Sequence, residues 1–207
     1  MKPHIIGIAG PSSSGKTELA RQLAAQLPGT SIVSLDSYYR GMEEIPLEAR
    51  KRANFDHPDS LEWPLLAQHL KALAAGLPFD EPVYSFADYA RTAETRRIVP
   101  GRFVIVEGLF VFHWPELRDL LDTKVYVETD PGVCFNRRLL RDVNERGRTP
   151  QSVCEQYERT VRPSAEWFVV PSRKFADLVV SGEEPLENST ARVIHALDQA
   201  ARAAGAR

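Results

Sequence analysis

One stretch of eight residues, Gly10-Pro11-Ser12-Ser13-Ser14-Gly15-Lys16-Thr17, limits what this chain can become more than any other. It fits the pattern G-x-x-x-x-G-K-[ST] without deviation, and its flanks fit as well. Upstream, His4-Ile5-Ile6-Gly7-Ile8-Ala9 is a short apolar, β-branched run that reads as a buried strand. Downstream, Leu19, Ala20, Leu23, Ala24 and Leu27 recur at helical spacing until Pro28-Gly29 stops them. Between a strand and a helix such a loop is a phosphate cradle. Its glycines let backbone amides turn inward around phosphate oxygens, and the helix presents its positive end. Lys16 brings a mobile charge to the β- and γ-phosphates, and Thr17 offers a hydroxyl to Mg²⁺. A chance match somewhere in a chain of this length is on the order of one in a hundred, and one so placed is rarer.

The rest of the chain supplies the frame. Ser31–Leu35 predicts a second strand with Asp36 at its carboxyl end, and Asp59 or Ser60 is placed to cap a helix running to Gly76. Pro82–Phe86 and Arg96–Val99 predict a small hairpin-like excursion near residues 78–100. Phe103–Val106, ending in Glu107-Gly108, and Val125–Val127 are apolar throughout and predict central strands. A helix should start at Pro131 and run to Gly147, with Leu178–Val180 a last strand and Ser189 to Ala204 a last helix. Strands alternating with helices predict an α/β fold, a five-stranded, mainly parallel sheet between helices, and 207 residues suit one such domain over 1–207.

Charge sets a further bound. With 26 Lys+Arg against 28 Asp+Glu the formal charge is −2, which argues against bulk attraction to nucleic acid or an anionic membrane, so any anion site must be local. No apolar run approaches membrane-spanning length and no signal-like segment opens the sequence, which reads as cytoplasmic. Cys134 and Cys154 are too far apart for a zinc cluster or a disulfide framework, and the histidines never fall at metal-ligand spacing, so no built-in metal site is expected.

A cradle alone does not separate a GTPase, an ATP-driven motor and a small-molecule kinase. The guanine-reading N-K-x-D and the switch D-x-x-G are absent, as is an apolar strand ending in paired acids. What remains is Asp36 at one strand end and Glu107 at another, on the edge where ligands bind in open parallel sheets. Two carboxylates there can serve Mg²⁺ or orient a hydroxyl nucleophile; each alone is as often a turn or cap residue. The third feature is the run Arg137 to Arg148. Arg138 and Arg141 share a helical face, so their guanidiniums can converge on phosphoryl oxygens as a lid over about residues 133–150. Read alone, the same run is a solvated helix laced by Arg138–Asp142 and Arg141–Glu145 pairs.

With these residues in view the chain resembles the uridine–cytidine kinase family, within the P-loop kinases that include phosphoribulokinase and pantothenate kinase. The carrying stretches are Asp36-Ser37-Tyr38-Tyr39, Asn54 to Asp59, Val83 to Phe86, Glu107-Gly108-Leu109, Arg137 to Arg148, Gln156-Tyr157 and Lys174 to Asp177. The resemblance implies a P-loop NTPase-type three-layer α/β/α fold and transfer of phosphate to the 5′-hydroxyl of cytidine or uridine, a pyrimidine-salvage reaction. It implies ATP, or GTP in its place, as donor, Mg²⁺ as cofactor, and a homotetramer. Asp36 would accept the hydroxyl proton, Thr17, Glu107 and Asp36 would hold Mg²⁺, and Lys16 and Arg141 would steady the phosphates. Asp56 and Arg138 would hold the ribose hydroxyls, selecting ribose over deoxyribose. Tyr39, Phe55, Tyr84 and Phe86 would wall the base with Arg148 and Gln156 nearby, although each aromatic taken singly reads as core.

One departure bears on specificity. Where many relatives carry histidine after Tyr-x-Phe, this chain has Tyr89. A histidine can greet uracil or cytosine by choice of tautomer, whereas a phenol whose proton is engaged elsewhere offers only an acceptor, so Tyr89 is expected to tilt the pocket toward cytidine. Two competing readings stay open: a kinase of the same scaffold for another hydroxyl compound, as in phosphoribulokinase or pantothenate kinase, and a nucleotide-binding regulator without catalysis.

Overall fold

The structure, a computed structural model, describes residues 2–42, 44–50 and 53–205. Strand β1 (His4–Ala9) lies at the centre of a sheet because it has apolar cover on both faces. Its alternation sends Ile5 and Ala9 into one core layer with Tyr38, Leu66, Leu70 and Phe112, and Ile6 and Ile8 into the other with Leu19, Leu23, Val193 and Leu197. Helix α1 (Lys16–Gln26) follows the loop, and β2 (Thr30–Ser34) follows α1. Helix α2 (Trp63–Ala74) leads to β3 (Phe79–Ser85) and β4 (Ala90–Ile98), which pair antiparallel as a separate hairpin. Then come β5 (Phe103–Glu107), β6 (Thr123–Glu128), α3 (Pro131–Asn144), α4 (Pro150–Gln156), β7 (Leu178–Ser181) and α5 (Leu186–Gly205). The five sheet strands run in the order β2-β5-β1-β6-β7. Every neighbouring pair is parallel, where the sequence predicts a mainly parallel sheet.

The order places the carboxyl ends of β1, β2 and β5 side by side, so the phosphate loop, Asp36 and Glu107 share one edge. Three local expectations are corrected. Strand β2 ends at Ser34, and Asp36 sits in the short helical turn Leu35–Tyr38 beyond it. Asp59 and Ser60 do not cap α2: they belong to the turn Pro58–Ser60, where the Ser60 hydroxyl donates to the His57 carbonyl at 2.6 Å. The chain must extend once more at Leu61, which bridges to Tyr39, before α2 begins at Trp63 with proline in its first turn. Helix α3 is capped by Asp130, whose Oδ1 accepts from Gly132 and Val133 at 2.8 and 3.2 Å, but it ends at Asn144 rather than Gly147. Gly147, at φ 62°, carries the turn that brings the Arg148 amide back to the Asp142 carbonyl at 3.1 Å. Among the described residues no helix is long and apolar enough to cross a membrane.

Candidate active site

The loop folds as the cradle requires. Ser13 and Gly15 take left-handed backbone angles, φ 62° and 101°, which turn successive amides toward one side. Gly10 is needed for packing: a Cβ there would meet the Val127 carbonyl oxygen at 2.4 Å. Gly10, Pro11 and Ser14 stand behind the wall of a cavity of about 1090 Å³, whereas Ser12, Ser13, Gly15, Lys16 and Thr17 line it. The Lys16 ammonium donates to the Pro11 carbonyl at 2.6 Å, so it lies folded across the loop. Burial lowers the Lys16 pKa, and the nearby carboxylates of Glu107 and Asp36 hold it up.

Across the cavity, Glu107 is buried and accepts from the Ser34 hydroxyl at 2.8 Å and the Thr17 hydroxyl at 3.3 Å. Burial raises the Glu107 pKa, Asp36 raises it further, and Lys16 draws it down. Gly108 lets the two acidic segments touch, since a Cβ there would lie 2.3 Å from that of Leu35. One hydroxyl and two carboxylates are hard oxygen donors too few to form a cage. They suit Mg²⁺, which keeps several waters and is shared with phosphate oxygens.

The aromatic residues come together. Tyr39 packs against Phe55 and Tyr84 with ring centroids 5.5 and 5.2 Å apart, Phe55 against Tyr89 at 5.5 Å, and Tyr84 against Phe86 at 5.4 Å. Tyr39 is nearly closed off while Phe86 is 41% exposed, so the cluster is core at one end and wall at the other. The Asn54–Asp59 segment reaches Tyr39 because Leu61 bridges to it. Asp56 is buried with Oδ1 3.6 Å from Arg138, and its Oδ2 has no hydrogen-bond partner among the described residues. Burial raises the Asp56 pKa, and the Arg138 guanidinium opposes that rise. Arg138 also donates to the Ser12 hydroxyl at 2.9 Å and to Gln156 Oε1 at 3.2 Å, so one guanidinium spans phosphate loop and acidic pocket. Gln156 also accepts from Arg148, and therefore organises the arginines.

The arginine run is not a solvated helix. The Asp142 side chain is fully buried, and its carboxylate is gripped by Arg141 through Nε and Nη2 at 2.9 and 2.8 Å. Arg138, Arg146 and Arg148 stand 3.5, 3.6 and 3.6 Å from the same group. The expected Arg138–Asp142 pair is present, but Arg141 turns to Asp142 rather than to Glu145. Beyond the hub, the Arg146 guanidinium lies 4.4 Å over the Phe86 ring, joining this segment to the hairpin tip. Sequence reasoning missed this contact, the Asp142 hub and the buried Glu81 of β3. Only Glu81 left a readable signal: alternation with Phe79 puts a carboxylate on the buried face of that strand.

Residues 5–185 match the model of the Phosphoribulokinase / Uridine kinase family. A uridine kinase of Deinococcus deserti is 42% identical over 199 residues, covering 93% of this chain and 96% of its own. One of Chloroflexus aggregans is 45% identical over 182 residues, 87% of each chain. Among solved structures, D-glycerate 3-kinase from Cryptococcus neoformans superimposes with a TM-score of 0.65 at 19% identity, over 89% of this chain and 88% of that one. A sugar acid and a nucleoside appear in the names of proteins on this scaffold, so the acceptor has to be read from the pocket.

Proposed function

Because the chain belongs to the phosphoribulokinase/uridine kinase family, and is thereby a phosphotransferase, we propose that it transfers the γ-phosphoryl group of ATP to the 5′-hydroxyl of cytidine or uridine. The observation that carries this reading is the reach of Arg138 from Ser12 of the phosphate loop to Asp56 beneath the aromatic wall. It puts an aromatic-lined pocket and an under-bonded carboxylate next to the phosphate loop. A base has aromatic faces and edges to pack on in Tyr39, Phe55, Tyr84, Phe86 and Tyr89, and a ribose hydroxyl would satisfy the Asp56 oxygen that has no partner among the described residues.

In this reading Asp36 orients the 5′-hydroxyl and takes its proton late, since a free carboxylate is too weak a base to ionise an alcohol beforehand. The O5′–P bond forms as the bond from the γ-phosphorus to the bridging oxygen breaks, and ADP leaves with that electron pair. Lys16 and Arg141 face the charge spreading over the transferred group, and the segment from residue 133 to 150 acts as the lid that excludes water. Thr17, Glu107 and Asp36 are the residues that would hold Mg²⁺, which when bound supplies charge neutralisation at the β- and γ-phosphates. ADP release from ATP, or from GTP in parallel, against cytidine, uridine, their deoxy forms, pantothenate and D-glycerate tests the assignment. Turnover confined to the ribonucleosides is expected, and turnover of only another acceptor would overturn it.

Tyr89 belongs to the same reading. It sits at φ 53°, a backbone angle histidine accepts more readily than most side chains, and its ring packs on Phe55. On the reading that its phenol oxygen accepts from the cytosine amine, wild type should favour cytidine in kcat/KM, and Tyr89→His should shift the ratio toward uridine by several fold, at a backbone angle that histidine tolerates. Equal preference in wild type would refute the role.

A further inference from the structure

We propose that Glu81, which lies outside every motif above, is a positioning residue for the acceptor: clamped by Arg96 and the amide of Ser34, it sets the angle at which the hairpin presents Tyr84 and Phe86 to the cavity. Glu81 is only 2% exposed and stands directly opposite Arg96 in the β3–β4 ladder. Its Oε2 accepts from Arg96 Nε at 2.9 Å and Nη2 at 2.5 Å, and its Oε1 accepts from the Ser34 amide at 3.2 Å. The same Arg96 guanidinium donates to the Ile32 carbonyl at 3.0 Å. The base of the hairpin is thus tied to β2 by side chains from both of its strands.

The position of the clamp gives it meaning. Beyond Glu81 the ladder shifts register, Pro82 facing Thr95 but Tyr84 facing Arg91, so β4 carries the extra residues of a bulge and the hairpin twists there before it reaches Tyr84 and Phe86. A twist transmits direction only if the segment before it is fixed. Ser34 completes the connection: its amide holds Glu81 while its hydroxyl holds Glu107, so the hairpin base and the acidic edge form one hydrogen-bonded unit. Stability alone does not call for a carboxylate here. Phe79 and Ile98 already seat the hairpin in the core, and a buried ion pair is often no better than a hydrophobe of similar size. What the ion pair adds is defined direction, through a planar fork on a fixed carboxylate.

The inference rests on the hairpin being the acceptor wall, and the test separates the two. Glu81→Leu keeps the buried volume, and Arg96, whose side chain is 54% exposed, can turn to water. The variant is expected to melt as wild type does and to lose about tenfold in kcat/KM for the nucleoside, chiefly through KM, with KM for ATP unchanged. Arg96→Lys, which keeps the charge but not the fork, should shift the nucleoside KM in the same direction by less. A folded Glu81→Leu with wild-type nucleoside kinetics, or equal rises in both KM values, would overturn the proposal. If Glu81→Leu does not fold, Arg96→Lys with unchanged nucleoside KM overturns it instead. Wild type assayed alongside separates the premises: failure to phosphorylate either pyrimidine nucleoside would remove the functional reading, and Glu81 would then be judged on the acceptor that wild type uses.

Discussion

Asp36→Asn protein, whose amide oxygen can still face Mg²⁺, is expected to lose at most about tenfold in ATP affinity and to turn over nucleoside about a thousandfold more slowly. The amide matches the carboxylate in shape and can still accept a hydrogen bond from the 5′-hydroxyl, but it cannot take the proton when charge moves to the leaving group. The loss should therefore fall on kcat. The electrostatics of the edge add a second signature. Asp36 is one of the charges that hold the Lys16 pKa up and push the Glu107 pKa up, so neutralising it should relax Glu107 toward ordinary carboxylate behaviour. Calorimetry of ATP binding beside a coupled assay of ADP release makes the distinction. If Asp36 acted only as a metal ligand, the affinity for ATP with Mg²⁺ would weaken along with the rate; a rate within tenfold of wild type would refute both roles.

The parts of this site that could be read from the residues are those whose geometry is local. From β1 through the loop to α1, the glycines, the β-branched run and the helical spacing act on neighbours in sequence, and the structure differs from expectation there by no more than a residue. Longer reach decided the rest. The start of α2 moved because Leu61 is drawn into a bridge with Tyr39, a contact across the fold that no cap preference at Asp59 or Ser60 encodes. Arg141 turned to Asp142 although Glu145 keeps helical angles and its amide bonds the Arg141 carbonyl at 2.8 Å: Asp142 is buried and Glu145 exposed, and the fold-back through Gly147 returns Arg146 and Arg148 to the same carboxylate. Helical spacing does not tell which of two acids is buried. The aromatic cluster shows the converse case: its members looked like core one at a time, and the resemblance between motifs, not periodicity, brought them to one pocket.

That turning point at Asp142 yields the other large effect. Residues 137–148 hold five arginines against two acids in a protein whose formal charge is −2, and the side chain of one of those acids, Asp142, is fully buried. A buried carboxylate is tolerated only while paired, and here it is also what permits Arg138, Arg141, Arg146 and Arg148 to stand within 4 Å of a common point. Asp142→Asn removes the charge and keeps the shape. The cations then repel one another with no carboxylate between them, and Arg138, whose side chain is 8% exposed, keeps Asp56 as its one carboxylate partner among the described residues beside its hydrogen bonds to Ser12 and Gln156. Arg141, Arg146 and Arg148 retain 22–30% exposure and can turn to solvent, so the cost belongs at the lower end for a broken buried pair, about 3 kcal/mol of unfolding free energy. Arg138 would loosen its hold on Ser12 of the phosphate loop and Arg141 would swing from the cavity wall as they disperse, and KM for ATP should rise by more than KM for the nucleoside. Urea denaturation with steady-state kinetics on the folded fraction tests both halves. Glu145→Gln, at the exposed acid of the same run, is the control and should move stability by no more than about 0.5 kcal/mol. Equal effects from the two variants would show that the number of acids in the run matters and the burial of Asp142 does not.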